Sequence, residues 1–280
     1  VREGRILLAH SGRYRVEVGG EVRLCVPRGT LRRRQGGILT GDLVRLEGDV
    51  IAGVLPRRNS LERPPVANID RAFLVVSLAR PEVSRQEIDR RLVVLEARSV
   101  PAAVVVNKVD LVDRDLWQGV LAVYRRAGYP SYGTCAGTGE GMEALGKAIG
   151  AGVSVLLGPS GVGKSTLLSH LTGRQLATRE VGRTERGRHT TKWVELLPHG
   201  GGYVVDTPGF GALDLPRMEI RRLASLFPEI AALSGACRFA DCAHDAEPDC
   251  AVKAAVDGGM CDGERYRSYV ELLREVREAW

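Results

Sequence analysis

Gly158-Pro-Ser-Gly-Val-Gly163-Lys164-Ser165-Thr166 sets three glycines ahead of a lysine and two hydroxyls. An apolar run, Val153-Ser-Val-Leu-Leu157, leads into it, and a helical pattern, Thr166-Leu-Leu-Ser-His-Leu171, leads out. Strand, glycine-rich turn and helix in that order form a phosphate-binding P-loop. Gly158, Gly161 and Gly163 let the backbone curl, so that successive N–H groups point at phosphate oxygens. Pro159, Ser160 and Val162 fill the loop, and Thr166 closes the run. Lys164 is expected to reach the β- and γ-phosphates, and the Ser165 hydroxyl to bind Mg²⁺.

Downstream, Asp206-Thr-Pro-Gly209 ends a second apolar run, Tyr203-Val-Val205. Asp206 can hold Mg²⁺ through a water, and the Gly209 N–H can meet the γ-phosphate. The bland alternative is a turn that binds nothing. Upstream, Asn107-Lys-Val-Asp110 ends a third apolar run, Ala102–Val106. Asp110 can accept hydrogen bonds from guanine N1–H and its 2-amino group. Adenine offers neither, so ATP would leave a carboxylate unpaired. Asn107 is expected to brace the loops and the Lys108 stem to lie along the base. Cys135-Ala136 stands where GTPases carry Ser-Ala, with the Ala136 N–H expected at guanine O6. Cys135 departs from the usual Ser in its side chain only.

The order of these motifs is unusual. Ordinary GTPases place the P-loop first and the guanine motif late; here the guanine motif precedes the P-loop. The parts are complete but rotated, as in a circularly permuted GTPase. Between the P-loop and Asp206 lies Gly182-Arg-Thr-Glu-Arg-Gly-Arg-His-Thr-Thr191, polar, basic and punctuated by glycine. It suits a mobile switch, although a plain surface loop has the same character. Thr190 or Thr191 could complete the Mg²⁺ shell, and spacing does not choose between them.

Near-continuous apolar runs joined by helical spacing (Ile88, Leu92, Leu95) predict a doubly wound α/β domain over 66–225. Residues 1–62 read differently. Arg13–Val18, Val22–Val26, Thr40–Glu47 and Val50–Pro56 are short strand-like stretches with tight turns. Some five short strands in this space suit a small barrel such as an OB-fold. The Leu61-Glu-Arg-Pro-Pro65 stretch reads as a linker.

Charge separates the same regions. The net charge of the 280 residues is +6, and residues 1–65, with 13 Arg against seven acids, carry all of it. A basic module beside a neutral remainder suggests a polyanionic partner, most simply nucleic acid; a solvated basic surface is the alternative. Arg32-Arg33-Arg34 falls between strands, where a binding loop would sit. No apolar run approaches the ~18–20 residues that span a bilayer, and the first residues lack a signal-peptide core. The reading is a cytoplasmic protein with no membrane partner.

Residues 226–280 make the third region. Cys237, Cys242, His244 and Cys250 supply three thiolates and one imidazole, a complete tetrahedral set with no position left for water. One structural Zn²⁺ is the expectation. Cys25 and Cys261 read as small apolar or free thiols, and His170 and His199 as structural or exposed residues. Tyr266, Tyr269, Val270, Leu272, Leu273 and Val276 share one face of a helix expected from about Glu264 to Trp280.

Taken together, Asn107-Lys-Val-Asp110, Gly158–Thr166, Gly187-Arg-His-Thr-Thr191, Asp206-Thr-Pro-Gly-Phe210, the Leu55–Pro64 junction and the Cys237…Cys250 cluster resemble the RsgA (YjeQ) family over nearly the whole chain. The resemblance implies an N-terminal OB-fold β-barrel, a central circularly permuted P-loop GTPase domain and a C-terminal zinc-binding helical domain. It implies GTP and GDP as ligands, rRNA and the small ribosomal subunit as partners, and hydrolysis stimulated by that subunit. A monomer is expected. Many GTPases place a Gln after the second switch's Gly to orient water; Phe210 cannot do this. His189 is the candidate within the chain for positioning water, with the ribosome as the rival source. Because the second switch now leads into the tail, hydrolysis could reposition the tail relative to the barrel. Two other classes compete: an RNA-binding module that nucleotide merely stabilises, and a small-molecule P-loop ATPase.

Overall fold

A computed structural model describes residues 2–29, 31, 37–150, 152–173, 194–206 and 215–279, with Asp206 described by its backbone. The Arg32-Arg33-Arg34 stretch, the expected first switch with His189, Thr190 and Thr191, and the Thr207–Phe210 stretch with Gly209 lie outside the described residues.

The N-terminal strands are β1 (Arg2–His10), β2 (Arg13–Val18), β3 (Glu21–Pro27), β4 (Leu43–Glu47) and β5 (Val50–Val54). They pair in the order β1-β2-β3-β5-β4, and β4 returns to β1. All pairings are antiparallel except β3 with β5. The result is a closed five-stranded barrel of OB type. Alternation puts Ile6, Val16, Val18, Cys25, Val44, Leu46 and Ile51 inside. Closure satisfies the backbone groups an open edge would expose.

The expected linker at 61–65 is instead a hairpin: β6 (Ser60–Glu62) pairs with β7 (Pro65–Ala67). Leu61 and Val66 are buried in the central core, which holds the segment in place. The prolines therefore shape a turn between paired strands.

The central unit contains β8 (Arg71–Val76), α1 (Arg85–Ala97), β9 (Ala102–Asn107), α2 (Arg114–Arg126), β10 (Ser131–Thr134), α3 (Met142–Ile149), β11 (Val153–Leu157), α4 (Lys164–Thr172), β12 (Glu195–His199) and β13 (Gly202–Asp206). The strand order is β10-β9-β8-β11-β13-β12, parallel except for β12. Every residue of β9 and β11 is buried, as apolar strands covered on both faces must be. Chain order reverses at β11, which lies between β8 and β13. A crevice opens at the carboxyl ends of strands at such a reversal, and the P-loop follows β11 directly.

Four helices follow: α5 (Ile220–Ser225), α6 (Pro228–Ser234), α7 (Ala251–Asp257) and α8 (Gly263–Glu278). They enclose a core of their own around Leu223, Phe227, Ile230, Val252, Tyr269 and Leu273. The Asp262 side chain caps α8 by accepting from the Glu264 and Arg265 N–H groups, a cap that fixes where the helix starts.

α1 joins the two units. Ile88, Leu92 and Leu95 face the central core, while Val93 belongs to the C-terminal core. Between these faces, Arg265 of α8 meets Asp89 of α1 and Glu229 of α6. At the other end, β1 pairs with β12 at Leu8 and Glu195, making one continuous sheet from barrel to central unit. Arg15 with Glu195, and Tyr203 with Glu17, tie that junction. Among the described residues no helix is long and apolar enough to cross a membrane.

Candidate nucleotide site and metal centre

Because β9, β10, β11 and β13 run parallel, their carboxyl ends lie on one side of the sheet. Asn107, Cys135, Gly158 and Asp206 stand at or just beyond those ends. Motifs far apart in sequence are thus gathered in one place.

The P-loop backbone takes the shape its glycines permit. Gly158, Gly161 and Gly163 have φ of 139°, 84° and 98°, a region that L side chains rarely adopt. A Cβ on Gly158 would stand 2.0 Å from the Val75 carbonyl oxygen, and one on Gly163 would stand 2.3 Å from Asn107 Nδ2. Gly163 also starts α4, so the helix N-terminus opens at the loop. Ser160, Ser165 and Thr166 are exposed, Pro159 is half-buried, and Val162 is buried.

Asn107 braces these parts. Its Nδ2 donates to the Val162 carbonyl at 2.8 Å, and its Oδ1 accepts from Thr134 Oγ1 at 3.1 Å. One buried amide therefore fixes the distance between the guanine motif, the P-loop and the end of β10. Lys108 follows in the left-handed conformation. Its Nζ donates to the Gly161 carbonyl at 2.8 Å and the Arg80 carbonyl at 2.6 Å. Asp110 lies exposed in a short 3-10 turn, Val109–Leu111. Beyond Thr134, the Cys135 N–H donates to the Glu140 carbonyl and the Cys135 carbonyl accepts from Gly139, a tight turn that holds Ala136.

Lys164 Nζ donates to the Gly158 and Pro159 carbonyls at 2.8 and 2.5 Å. Burial, with Arg91 nearby, pulls its pKa down to about 8. Phosphate oxygens would oppose that shift, since an opposite charge favours the ammonium form.

Three residues of this site carry no recognisable motif: Arg80, Pro81 and Thr134. Arg80 contributes a backbone carbonyl, which any residue offers. Pro81 packs against Gly161, where a Cβ would sit 3.3 Å from Pro81 Cδ. Thr134 is found only through its position at the strand end before Cys135-Ala136.

The second cluster is remote from the first. Cys237, Cys242, His244 and Cys250 bring their ligand atoms within 4.8 Å of one another. Cys237 Sγ lies 3.9 Å from Cys250 Sγ, and His244 Nδ1 lies 3.4 and 3.5 Å from these two sulfurs. A tetrahedron with metal–sulfur arms of ~2.3 Å has edges of about 3.8 Å. These three edges are close to it, and the Cys237–Cys250 separation is far too long for a disulfide. Burial pushes the Cys242 thiol up to about 12, with the Cys250 and Cys237 sulfurs adding to it. Three thiolates at this spacing need a cation. His244 has φ of 59°, and both its backbone flanks are pinned. Glu247 accepts from the Ala243 and Asp245 N–H groups, while Tyr269 and Tyr266 donate to the Ala243 and His244 carbonyls.

The remaining cysteines and histidines are placed as follows. Cys25 and Cys261 are buried free thiols, His170 is exposed, and His199 Nε2 lies 3.3 Å from the Gly146 carbonyl.

Residues 54–216 match the model of the family described as RsgA GTPase, more than half of the chain. The chain belongs to the RsgA GTPase family. The family's curated members include the small ribosomal subunit biogenesis GTPase RsgA of Caldanaerobacter subterraneus, 43% identical over 99% of this chain and 96% of that protein. The protein of the same name from a Geobacillus species is 40% identical, over 99% of this chain and 98% of its own length. Among solved structures, YloQ, described as a circularly permuted GTPase, superposes with a TM-score of 0.83 at 33% identity, over 100% of this chain and 96% of that one. YjeQ from Thermotoga maritima gives 0.82 at 38% identity, covering 98% of each chain. The description of YloQ agrees with the motif order of this chain, in which the guanine motif precedes the P-loop.

Proposed function

We propose that this chain binds and hydrolyses GTP as a late maturation factor of the small ribosomal subunit, and that the subunit stimulates hydrolysis. The observation that carries the reading is the Asn107 bridge. It joins the guanine motif to the P-loop across 55 residues of sequence and makes two motifs into one pocket. The name that the curated relatives share supports the ribosomal part.

In this reading Asp110 selects guanine, with Lys108 beneath the base and the Ala136 N–H at O6. The Gly158–Thr166 backbone and Lys164 hold the phosphates. Ser165, Asp206 and either Thr190 or Thr191 hold Mg²⁺, which neutralises phosphate charge. Gly209 meets the γ-phosphate, and His189 positions water in the place that Phe210 leaves unserved. The Cys237, Cys242, His244 and Cys250 set holds one Zn²⁺ as a structural centre. The OB-type barrel, with the basic 1–65 segment, contacts rRNA. The protein works in the cytoplasm as a monomer. Three cores support a three-part division at 1–62, 66–225 and 226–280, with Leu7 and Leu61 lending themselves to the central core and Val93 and α5 to the C-terminal one.

Nucleotide selectivity tests the pocket. Asp110→Asn should weaken GTP binding on the order of 100-fold, because a charged acceptor for two donors is lost, and should shift preference towards xanthosine triphosphate. Unchanged GTP affinity, or ATP bound as tightly as GTP by the native chain, would remove Asp110 as the guanine reader and favour an ATPase.

A further inference from the structure

The cluster around His244 has a proton inventory that can be completed. Ser234 is the last residue of α6. Its hydroxyl donates to the Ile230 carbonyl one turn back at 2.8 Å, a bond that helical serines commonly make. That bond uses the only proton the hydroxyl has. The same oxygen lies 3.0 Å from His244 Nε2. Ser234 can therefore act only as an acceptor there, so Nε2 must carry a hydrogen. A neutral imidazole has one N–H, and with that hydrogen on Nε2 the bare lone pair falls on Nδ1. Nδ1 is the atom that faces the Cys237 and Cys250 sulfurs.

We infer that Ser234 is a positioning residue of the metal centre: it fixes the His244 tautomer and ring orientation so that Nδ1 is the metal ligand. The inference rests on the zinc reading of the cluster. His244 is 2% exposed, so its ring is set by protein contacts more than by bulk solvent. The backbone contacts of Glu247, Tyr266 and Tyr269 hold the chain on either side of the ring, and the Tyr269 ring packs 6.2 Å from the imidazole, but neither of these selects the ring nitrogen that carries the hydrogen. Metal-binding histidines are routinely oriented by a partner on the other ring nitrogen, and loss of that partner weakens affinity by about 10–100-fold. Here the partner belongs to the same short helix that carries Glu229, which clasps Arg265. The metal centre is thus held in register with the docking of α6 on α8.

The test uses the full chain, stripped of metal and titrated with Zn²⁺ against a chromophoric chelator, and separately with Co²⁺. Ser234→Ala should lower Zn²⁺ affinity at least 10-fold. Ser234→Thr, which keeps a hydroxyl able to bond the carbonyl one turn back, should recover most of it. Long-range ¹⁵N–¹H spectra of the zinc-loaded protein should show His244 protonated at Nε2. Unchanged affinity in Ser234→Ala, or a proton on Nδ1, overturns the inference while leaving the zinc centre standing. Failure of the native chain to take up Zn²⁺ or give a tetrahedral Co²⁺ spectrum overturns both readings.

Discussion

Arg265 Nη1 lies 2.6 Å from Asp89 Oδ1, with side chains 2% and 0% exposed, in the interface between α8 and α1. The guanidinium also grips Glu229 at 2.5 and 2.9 Å and sits near the rings of Phe227, Tyr124 and Tyr129. Tyr124 donates to the same Asp89 oxygen at 3.0 Å. The C-terminal helices are therefore seated on the GTPase unit through a buried polar knot, besides being connected to it in sequence. Any movement of the tail on hydrolysis carries α1 with it or breaks this knot.

Burial pushes the Asp89 carboxyl above the usual carboxylate range despite Arg265 beside it. The pair thus specifies how the units dock more than it stabilises them. Removing Arg265 leaves the Asp89 and Glu229 carboxyls without their shared cation. Arg265→Met should destabilise the fold by about 3–5 kcal/mol. Asp89→Leu combined with Arg265→Met should cost less than the sum of the singles. Chemical denaturation of the four variants of this cycle measures it; strict additivity would mean that the two groups do not interact.

The residues of this knot carry no local signal in the sequence. Ile88, Leu92 and Leu95 mark α1 as a helix with one apolar face, and that face packs on the central core. Asp89 and Arg91 are buried as well, yet on their own they look like solvated positions. The burial of Asp89 follows from Arg265, 176 residues away, while Arg91 pairs with Glu87 one turn back in its own helix. The P-loop was legible because its demands are local: φ values only glycine meets easily, set between a strand and a helix. β1 was not, because it pairs with β2, β4 and β12 and so lacks a simple alternation of buried and exposed residues. The Pro64-Pro65 pair read as a linker because burial of Leu61 and Val66 is a tertiary fact.

Gly163→Ala should cut GTP affinity by at least about 10-fold. The added methyl would meet Asn107 Nδ2 at 2.3 Å, and losing the amide's bond to Val162 leaves buried polar groups unpaired at about 1–3 kcal/mol. Titration with a fluescent guanine nucleotide checks this. Zn²⁺ content should be unchanged, because the cluster lies in a different core.

Acid should loosen the start of the central sheet. Asp70 accepts from the Val153 N–H and from Arg58, both at 2.6 Å. Burial raises its pKa, but these two groups outweigh burial and hold it below the ordinary value. Its contribution is therefore present above the unfolded value of about 3.9 and is lost as pH falls through the lower, folded value. The thermal midpoint should fall between pH 5 and pH 3, and Asp70→Asn should flatten part of that slope. A slope identical in the variant would remove Asp70 from the account.

Metal removal should act locally. A strong chelator should open the 237–250 loop to proteases, since the metal is what would tie its four ligands to one another. Guanine nucleotide affinity should survive, because the pocket rests on the central core. Loss of nucleotide binding in step with zinc would show instead that the two units depend on each other for folding.

Dependence on the subunit is tested by GTP hydrolysis measured with purified small ribosomal subunits, with large subunits as the control. Slow turnover by the protein alone and strong stimulation by small subunits only is the predicted result. Equal rates with small subunits, large subunits or neither would contradict a subunit-stimulated GTPase and favour an RNA-binding protein that nucleotide merely stabilises.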